Sequence, residues 1–223
     1  MSNMPRFARK SIVVTGAAQG IGKQVAIDAA GEGARVTLVD RSPLVETIAA
    51  EIIASGGQAV SFVADLETWE GNFETMKTAH KAHGAVDILV TNVGGAIWMK
   101  PFQHFDEKQI AAEVQRSLFP TLWACRAALP YMLEQGRGAI VNVSSVATKG
   151  VNRAPYSAAK GAVNGLTSAL GLSWVRRISA SMPSPREERL RPLAPSLATP
   201  LRRMARRRPG YGRSSHRRSS RAI

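Results

Sequence analysis

Apolar residues recur along this chain in two alternating rhythms up to about residue 175. Short, nearly continuous apolar runs, which suit strands buried on both faces, fall at Ser11–Thr15, Arg35–Asp40, Gln58–Ala64, Val86–Thr91 and Gly138–Ser144. Between them, apolar positions spaced three and four apart mark helices over Gly20–Gly33, from Ser42 or Pro43 to Ala54, over Trp69–His83, Asp106–Glu134 and Pro155–Leu172. The Asp106–Glu134 helix is expected to bend or break near Pro120 and Pro130. Strands alternating with helices in this way predict an α/β fold. It is a doubly wound parallel sheet between two helix layers, a three-layer αβα arrangement with right-handed crossovers. Such sheets bind ligands beyond the carboxyl ends of their strands, so the loops there carry the candidate chemistry.

The first of those loops is Thr15-Gly16-Ala17-Ala18-Gln19-Gly20-Ile21-Gly22. Gly16, Gly20 and Gly22 let backbone approach a phosphate closely, and the helix that follows offers free N–H groups and the positive end of its dipole. Gln19 and Ile21 fall within the same turn. Alone, a glycine-rich turn of this kind is also a common tight loop. Asp40 closes the second strand, where a carboxylate accepts both hydroxyls of an adenosine ribose and repels a 2′-phosphate, which favours NAD over NADP. Arg41 beside it would attract that phosphate. Asp65 ends the third strand and suits either an adenine amino group or the start of the next helix. After the fourth strand, Asn92 can brace neighbouring strands or face the cofactor, and Gly94 admits close backbone approach.

The second constellation is Ser144-Ser145 at the end of the fifth strand, followed by Tyr156 and Lys160. Tyr156 and Lys160 are four apart and share one helix face. A free tyrosine titrates near about 10, too high for a base near neutrality. A neighbouring ammonium favours the phenolate and brings it into range. A serine hydroxyl from the strand end can hold the substrate oxygen.

Charge changes the picture only once it is located. The net charge of +14 places 14 arginines, no lysine and two acids in residues 176–223, so residues 1–175 carry a net of only +2. The lone Cys125 permits no internal disulfide, and no apolar leader or spanning run is visible, which predicts a reduced, cytoplasmic setting. His80, His83, His104 and His216 show no metal-ligand spacing, and no metal is expected.

With T-G-x-x-x-G-I-G at Thr15–Gly22, the turn Thr91-Asn92-Val93-Gly94, and Y-x-x-x-K at Tyr156–Lys160, residues 1–175 resemble a short-chain dehydrogenase/reductase. This implies a Rossmann-like fold. In finer detail they are similar to the cis-diol dehydrogenases of benzoate and toluate degradation, through Asn92–Trp98, Lys100–Phe105 and Arg116–Trp123. The resemblance implies Tyr156 as catalytic base, Lys160 as the residue lowering its pKa and holding the nicotinamide ribose, and Ser145 (with Ser144 as the alternative) orienting the substrate. It also implies an NAD site at Gly16, Gln19, Gly20, Ile21, Gly22, Asp40, Asp65, Asn92 and Gly94. The implied reaction oxidises a cis-1,2-dihydroxycyclohexadiene-1-carboxylate to a catechol with loss of carbon dioxide. Lys149 or Arg153 would meet the substrate carboxylate. The family's helix asparagine falls on Ser117, which departs from the usual proton relay. Family members are often tetramers; a homodimer or an aggregate, rather than that tetramer, is expected here.

After about Val175 the pattern changes. Residues 176–223 are rich in arginine, proline and serine, hold half of the prolines, and are expected to be disordered. The C-terminal strands of the family are therefore expected to be missing. Residues 178–189 can be encoded so that a one-base shift reads D-I-S-V-N-A-V-A-P-G-G-T, the strand and Pro-Gly turn the family shows next. The tail is thus read as a frameshift product, and the chain as weakly active or inactive. Two other readings stay open on the residues: a different short-chain reductase for keto acyl or sugar substrates, and a protein whose arginine tail holds nucleic acid through phosphates. No aromatic interleaving or groove-reading motif accompanies the arginines, so no specific nucleic-acid partner and no membrane partner is expected.

Overall fold

The pattern of apolar runs is realised as five parallel strands. β1 (Ser11–Thr15), β2 (Arg35–Asp40), β3 (Gln58–Val63), β4 (Ile88–Thr91) and β5 (Ala139–Asn142) pair in the order β3-β2-β1-β4-β5. This computed structural model describes residues 5–181, with side chains described to Trp174. The order reverses beside β1, because β2 lies on one side of it and β4 on the other, in registers Ile12↔Val36 and Ile12↔Ile88. That reversal opens a crevice above the carboxyl ends of β1 and β4.

Helices cover both faces. β1 shows why: Ile12 and Val14 point into one apolar cluster and Val13 into the other. α1 (Gly20–Gly31) and α2 (Leu44–Ala54) close the first cluster with Ala26, Ala29, Ala30, Val45, Ile48 and Ile52. The small side chains on α1 let its backbone lie close to the sheet. α3 (Trp69–His83) and α5 (Phe119–Glu134) close the second with Met76, Ala79, Ala124, Ala127, Ala128 and Met132. Each large side chain fully buried here, such as Leu38 or Leu89, contributes about 1.5–3 kcal/mol.

The long helix divides at Leu118 into α4 (Glu107–Ser117) and α5. Pro120 belongs to the first turn of α5, where a missing N–H costs nothing. Pro130 sits inside α5 without breaking it. Both it and Arg126, whose carbonyl loses its partner, face solvent. The last helix, α6, runs Ala154–Ser181, nine residues past the expected end at Leu172. Residues 173–181 contain no proline or glycine to stop it; the next proline is Pro183. The segment 176–181 is therefore helical where a disordered tail was expected to begin. The readings that rest on residues 182–223 lie outside the described residues. No described helix is long and apolar enough to cross a membrane.

Candidate active site

The glycine turn after β1 is held by its neighbours. Gly16 adopts φ +67°, and its carbonyl accepts a hydrogen bond from Asn92 Nδ2 at 3.1 Å. A Cβ on Gly22 would stand 2.2 Å from Gly16 O and 2.7 Å from Asn92 Nδ2, so only glycine lets α1 start this close to the loop. Gly20 takes φ +57° at the helix start. The N-cap, Gln19, is extended and makes no side-chain cap, which leaves the first N–H groups of α1 without a side-chain acceptor. Ile21 is 63% exposed although apolar.

A cavity of about 280 Å³ opens above this turn. Gly16, Gln19, Ile21, Asp40, Asp65, Asn92 and Gly94 line it, together with Arg41, Ala64, Leu66, Glu67, Val93 and Arg116. Gly20 and Gly22 shape the turn and do not form its wall. Asp40 has both a local and a cavity-facing part. Its Oδ2 accepts the Ala18 N–H at 3.2 Å and its Oδ1 the Ser42 N–H at 3.0 Å. Arg41 lies 3.9 Å from the Glu67 carboxylate. Asp65 Oδ1 accepts the Glu67 N–H at 2.9 Å, so it shapes the loop as well as lining the cavity. Asn92 combines both expected uses, since its own N–H donates to Thr15 Oγ1 at 3.0 Å while its amide holds Gly16. An uncapped helix start, a glycine cradle and a carboxylate at the end of β2 fit a dinucleotide.

Beyond Gly94 lies the second constellation. Lys160 is buried, 3% exposed, and its Nζ donates to Val143 O at 2.9 Å. Burial holds its pKa below the usual lysine value. A Cβ on Gly94 would stand 3.1 Å from that Nζ, so the cavity loop touches the lysine directly. Tyr156, half-buried, lies one turn earlier on α6. The two serines behave differently. Ser144 Oγ donates to the Lys160 carbonyl at 3.3 Å and ties β5 to α6. Ser145 Oγ accepts the Ala147 N–H at 3.0 Å, which leaves its own proton free to donate.

Two loops flank this pair. The loop after β4 is pinned by Glu113, fully buried on α4, whose Oε1 accepts the N–H groups of Ile97 and Trp98 at 2.8 and 2.9 Å. Ser117, also fully buried, has its Oγ 3.4 Å from both the N and the O of Gly95. It serves the loop, while the hydrogen-bond partner of Lys160 Nζ among the described residues is Val143 O. The loop then joins the segment before α6 through Lys100 N–H and Asn152 O at 2.7 Å.

The profile of the family described as short chain dehydrogenase matches residues 10–185. The chain belongs to that family. A 1,6-dihydroxycyclohexa-2,4-diene-1-carboxylate dehydrogenase of Acinetobacter baylyi is 54% identical over 170 residues, covering 76% of this chain and 65% of the relative. A protein of the same name from Pseudomonas putida is 51% identical over 187 residues, covering 82% and 69%. The chain thus spans about two thirds of the length of these relatives. Among solved structures, a metagenomic short-chain oxidoreductase in complex with NADP superposes with TM-score 0.71 at 31% identity, covering 76% of this chain and 78% of that one. A short chain dehydrogenase from Mycobacterium avium gives 0.68 at 29%, covering 72% and 63%.

For this short-chain dehydrogenase the family's cofactor is a nicotinamide dinucleotide, and the cavity above β1 is the place that suits it. The structure brings the turn at Gly16 together with Asp40, Asp65 and Asn92 around that cavity. Glu67 and Glu113 were not visible as site residues in the sequence, and Arg116 stood there only as the start of the segment Arg116–Trp123. They come from polar helix and loop positions whose neighbours lie far away in the chain. Among the described residues no cluster of His, Cys, Asp or Glu could hold a metal.

Proposed function

We propose that this chain is an NAD-dependent dehydrogenase that oxidises a cis-1,2-dihydroxycyclohexadiene-1-carboxylate. The observation that carries this reading is the buried Lys160, one turn from Tyr156 and in contact with the Gly94 wall of the nucleotide cavity. The names of the two relatives above supply the substrate class. Asp40 would hold the adenosine ribose hydroxyls. Its carboxylate disfavours a 2′-phosphate, and Arg41 is turned to Glu67. The uncapped first turn of α1 would face the pyrophosphate.

A bound nicotinamide would supply the acceptor for the hydride, one proton with two electrons, released from the carbinol carbon. Tyr156 takes the proton of the secondary hydroxyl as the carbonyl forms. Lys160, held by Val143 O, places positive charge beside the phenolate and lowers the cost of forming it. Ser145, its oxygen held by Ala147 N–H, donates to the substrate oxygen and orients it. The product is a β-keto acid. Its bond to the carboxylate breaks, the electrons form the ring enol, and carbon dioxide leaves to give a catechol. In this reading the protein acts in the cytoplasm, where Cys125 stays reduced. It pairs as a homodimer through the faces of α5 and α6 that expose Leu133 and Leu172.

The test incubates the full chain with the diol acid and NAD and follows NADH absorbance and catechol release. Selectivity rather than rate decides, because residues 182–223 enter the expectation of a weakly active chain. Tyr156→Phe should lower the rate at least about a hundredfold. Asp40→Ala should shift preference toward NADP. Turnover of keto acyl or sugar substrates without turnover of the diol acid would refute the proposal.

A further inference from the structure

We infer that Arg153 is the cation that binds the carboxylate of the substrate; this rests on the reading above. Arg153 stands at the start of α6, and its carbonyl accepts the Ser157 N–H at 2.9 Å, so it already belongs to the helical turn. Residues 153, 156 and 160 are then spaced i, i+3 and i+7. Arg153, Tyr156 and Lys160 form one stripe on one helix face.

The guanidinium is held in place but unmet. Its stem folds over Gly150, where an added Cβ would lie 2.8 Å from Arg153 Cδ. Asn152, with φ +57°, makes the turn that delivers it, and Asn152 O anchors the neighbouring loop through Lys100 N–H. One terminal nitrogen, Nη2, faces Met99 Sδ at 3.3 Å, a weak acceptor. Arg153 Nε is shielded from solvent and has no hydrogen-bond partner. Among the described residues no carboxylate lies within 4.0 Å of this guanidinium. A shielded donor left unpaired costs free energy that an arriving acceptor recovers. A planar fork of N–H groups matches a carboxylate in two parallel bonds.

The other cations of the two loops are otherwise placed. Lys100 Nζ bonds to Gln109 Oε1 and lies 5.0 Å from the centre of the Phe105 ring. Lys149 is exposed. Around Arg153 the loops present apolar side chains to solvent, Met99 at 64% and Val151 at 79% exposure, which suit the carbon ring of the same molecule. A cyclic acid therefore meets Arg153 with its carboxylate, and its carbinol meets Tyr156 one turn along the stripe.

The test titrates the full chain, with NAD present, with benzoate as carboxylate probe and benzamide as its neutral counterpart. It also compares oxidation of the diol acid with that of the corresponding diol lacking the carboxylate. Arg153→Met should weaken benzoate binding at least tenfold and cut the preference for the acid over the neutral diol by a similar factor. Benzamide binding, the control for the fold of the variant, should stay within about threefold. Arg153→Lys should recover part of the loss, and Lys149→Met should show none. Equal benzoate affinity in wild type and Arg153→Met, with the acid preference intact, would overturn the assignment while leaving the proposed reaction standing. A wild type that oxidises no diol acid and binds no benzoate would remove the reaction and this inference together.

Discussion

Glu113 shows how much a single side chain can organise near a site without lining its cavity. It sits at 0% exposure on an otherwise polar helix, and one of its oxygens satisfies two backbone N–H groups of the loop that leads from β4. Its second oxygen is buried without a partner among the described residues. Removing the carboxyl would strand two loop donors. Glu113→Ala should lower stability by about 2–4 kcal/mol in denaturant unfolding, from the usual cost of unpaired buried groups. Glu113→Gln keeps an acceptor at Oε1 and should lose less than half as much. An Ala variant as stable as wild type would show that the loop holds itself. Nothing in the local pattern marks Glu113, since its partners lie 15 and 16 residues away and a glutamate on α4 reads as solvated. Lys160 differs. Its spacing from Tyr156 made it legible, whereas its hydrogen bond to Val143 O depends on how α6 packs on β5.

At the scale of elements, the amino ends of three strands are joined by Asp87. Its Oδ2 accepts the Ser11 N–H at 3.0 Å and its Oδ1 accepts from Arg137 Nε at 3.1 Å. Its backbone continues the ladder from Ser11 O to Ala139 N. Burial alone would raise its pKa. The Ser11 N–H, the Arg137 hydrogen bond and the charges of Lys10 and Arg137 outweigh burial and hold the carboxyl below its ordinary value. A folded pKa below the unfolded one means that the unfolded chain binds the proton more readily. The stabilisation is therefore present above the unfolded value of about 3.9 and lost as pH falls through the folded one. Asp87→Asn should cost about 1–3 kcal/mol near neutrality, mostly through the Ser11 contact because Arg137 is largely exposed. Its unfolding free energy should also fall less steeply below pH 4 than that of wild type. Equal acid slopes for the two proteins would exclude this joint as a source of acid lability.

For the molecule as a whole, the central strands β1, β2 and β4 are buried, while the edge strands β3 and β5 are only partly covered. Val141 is 52% exposed, and an apolar hollow of about 280 Å³ runs beside β5 between α5 and α6, lined by Met132, Ile140 and Trp174. Among the described residues no strand pairs with the outer edge of β5. The interior is nevertheless tight enough to silence its one thiol. Cys125 is buried on α5 and burial pushes its pKa up to about 11, despite a contact with Asn142 Oδ1 at 3.5 Å. A thiol reagent such as Ellman's should label it only as fast as the protein opens, and labelling should accelerate in step with denaturant unfolding. Rapid stoichiometric labelling under native conditions would show that the α5 face is open.

The alternation of strand and helix, the parallel sheet, the glycine-rich turn and the placing of Tyr156 and Lys160 one turn apart on one helix followed from the sequence alone. Each rests on short-range rules: a period of two or 3.6, a glycine conformation, a spacing of four. Tertiary structure decided what those residues meet. It turned Asn92 toward Gly16 O, divided the work of Ser144 and Ser145, buried Glu113 against a distant loop and left Arg153 Nε shielded without a partner. These contacts join residues separated by up to 76 positions, and no periodicity encodes them. They arise only when buried polar groups must find partners within a packed interior.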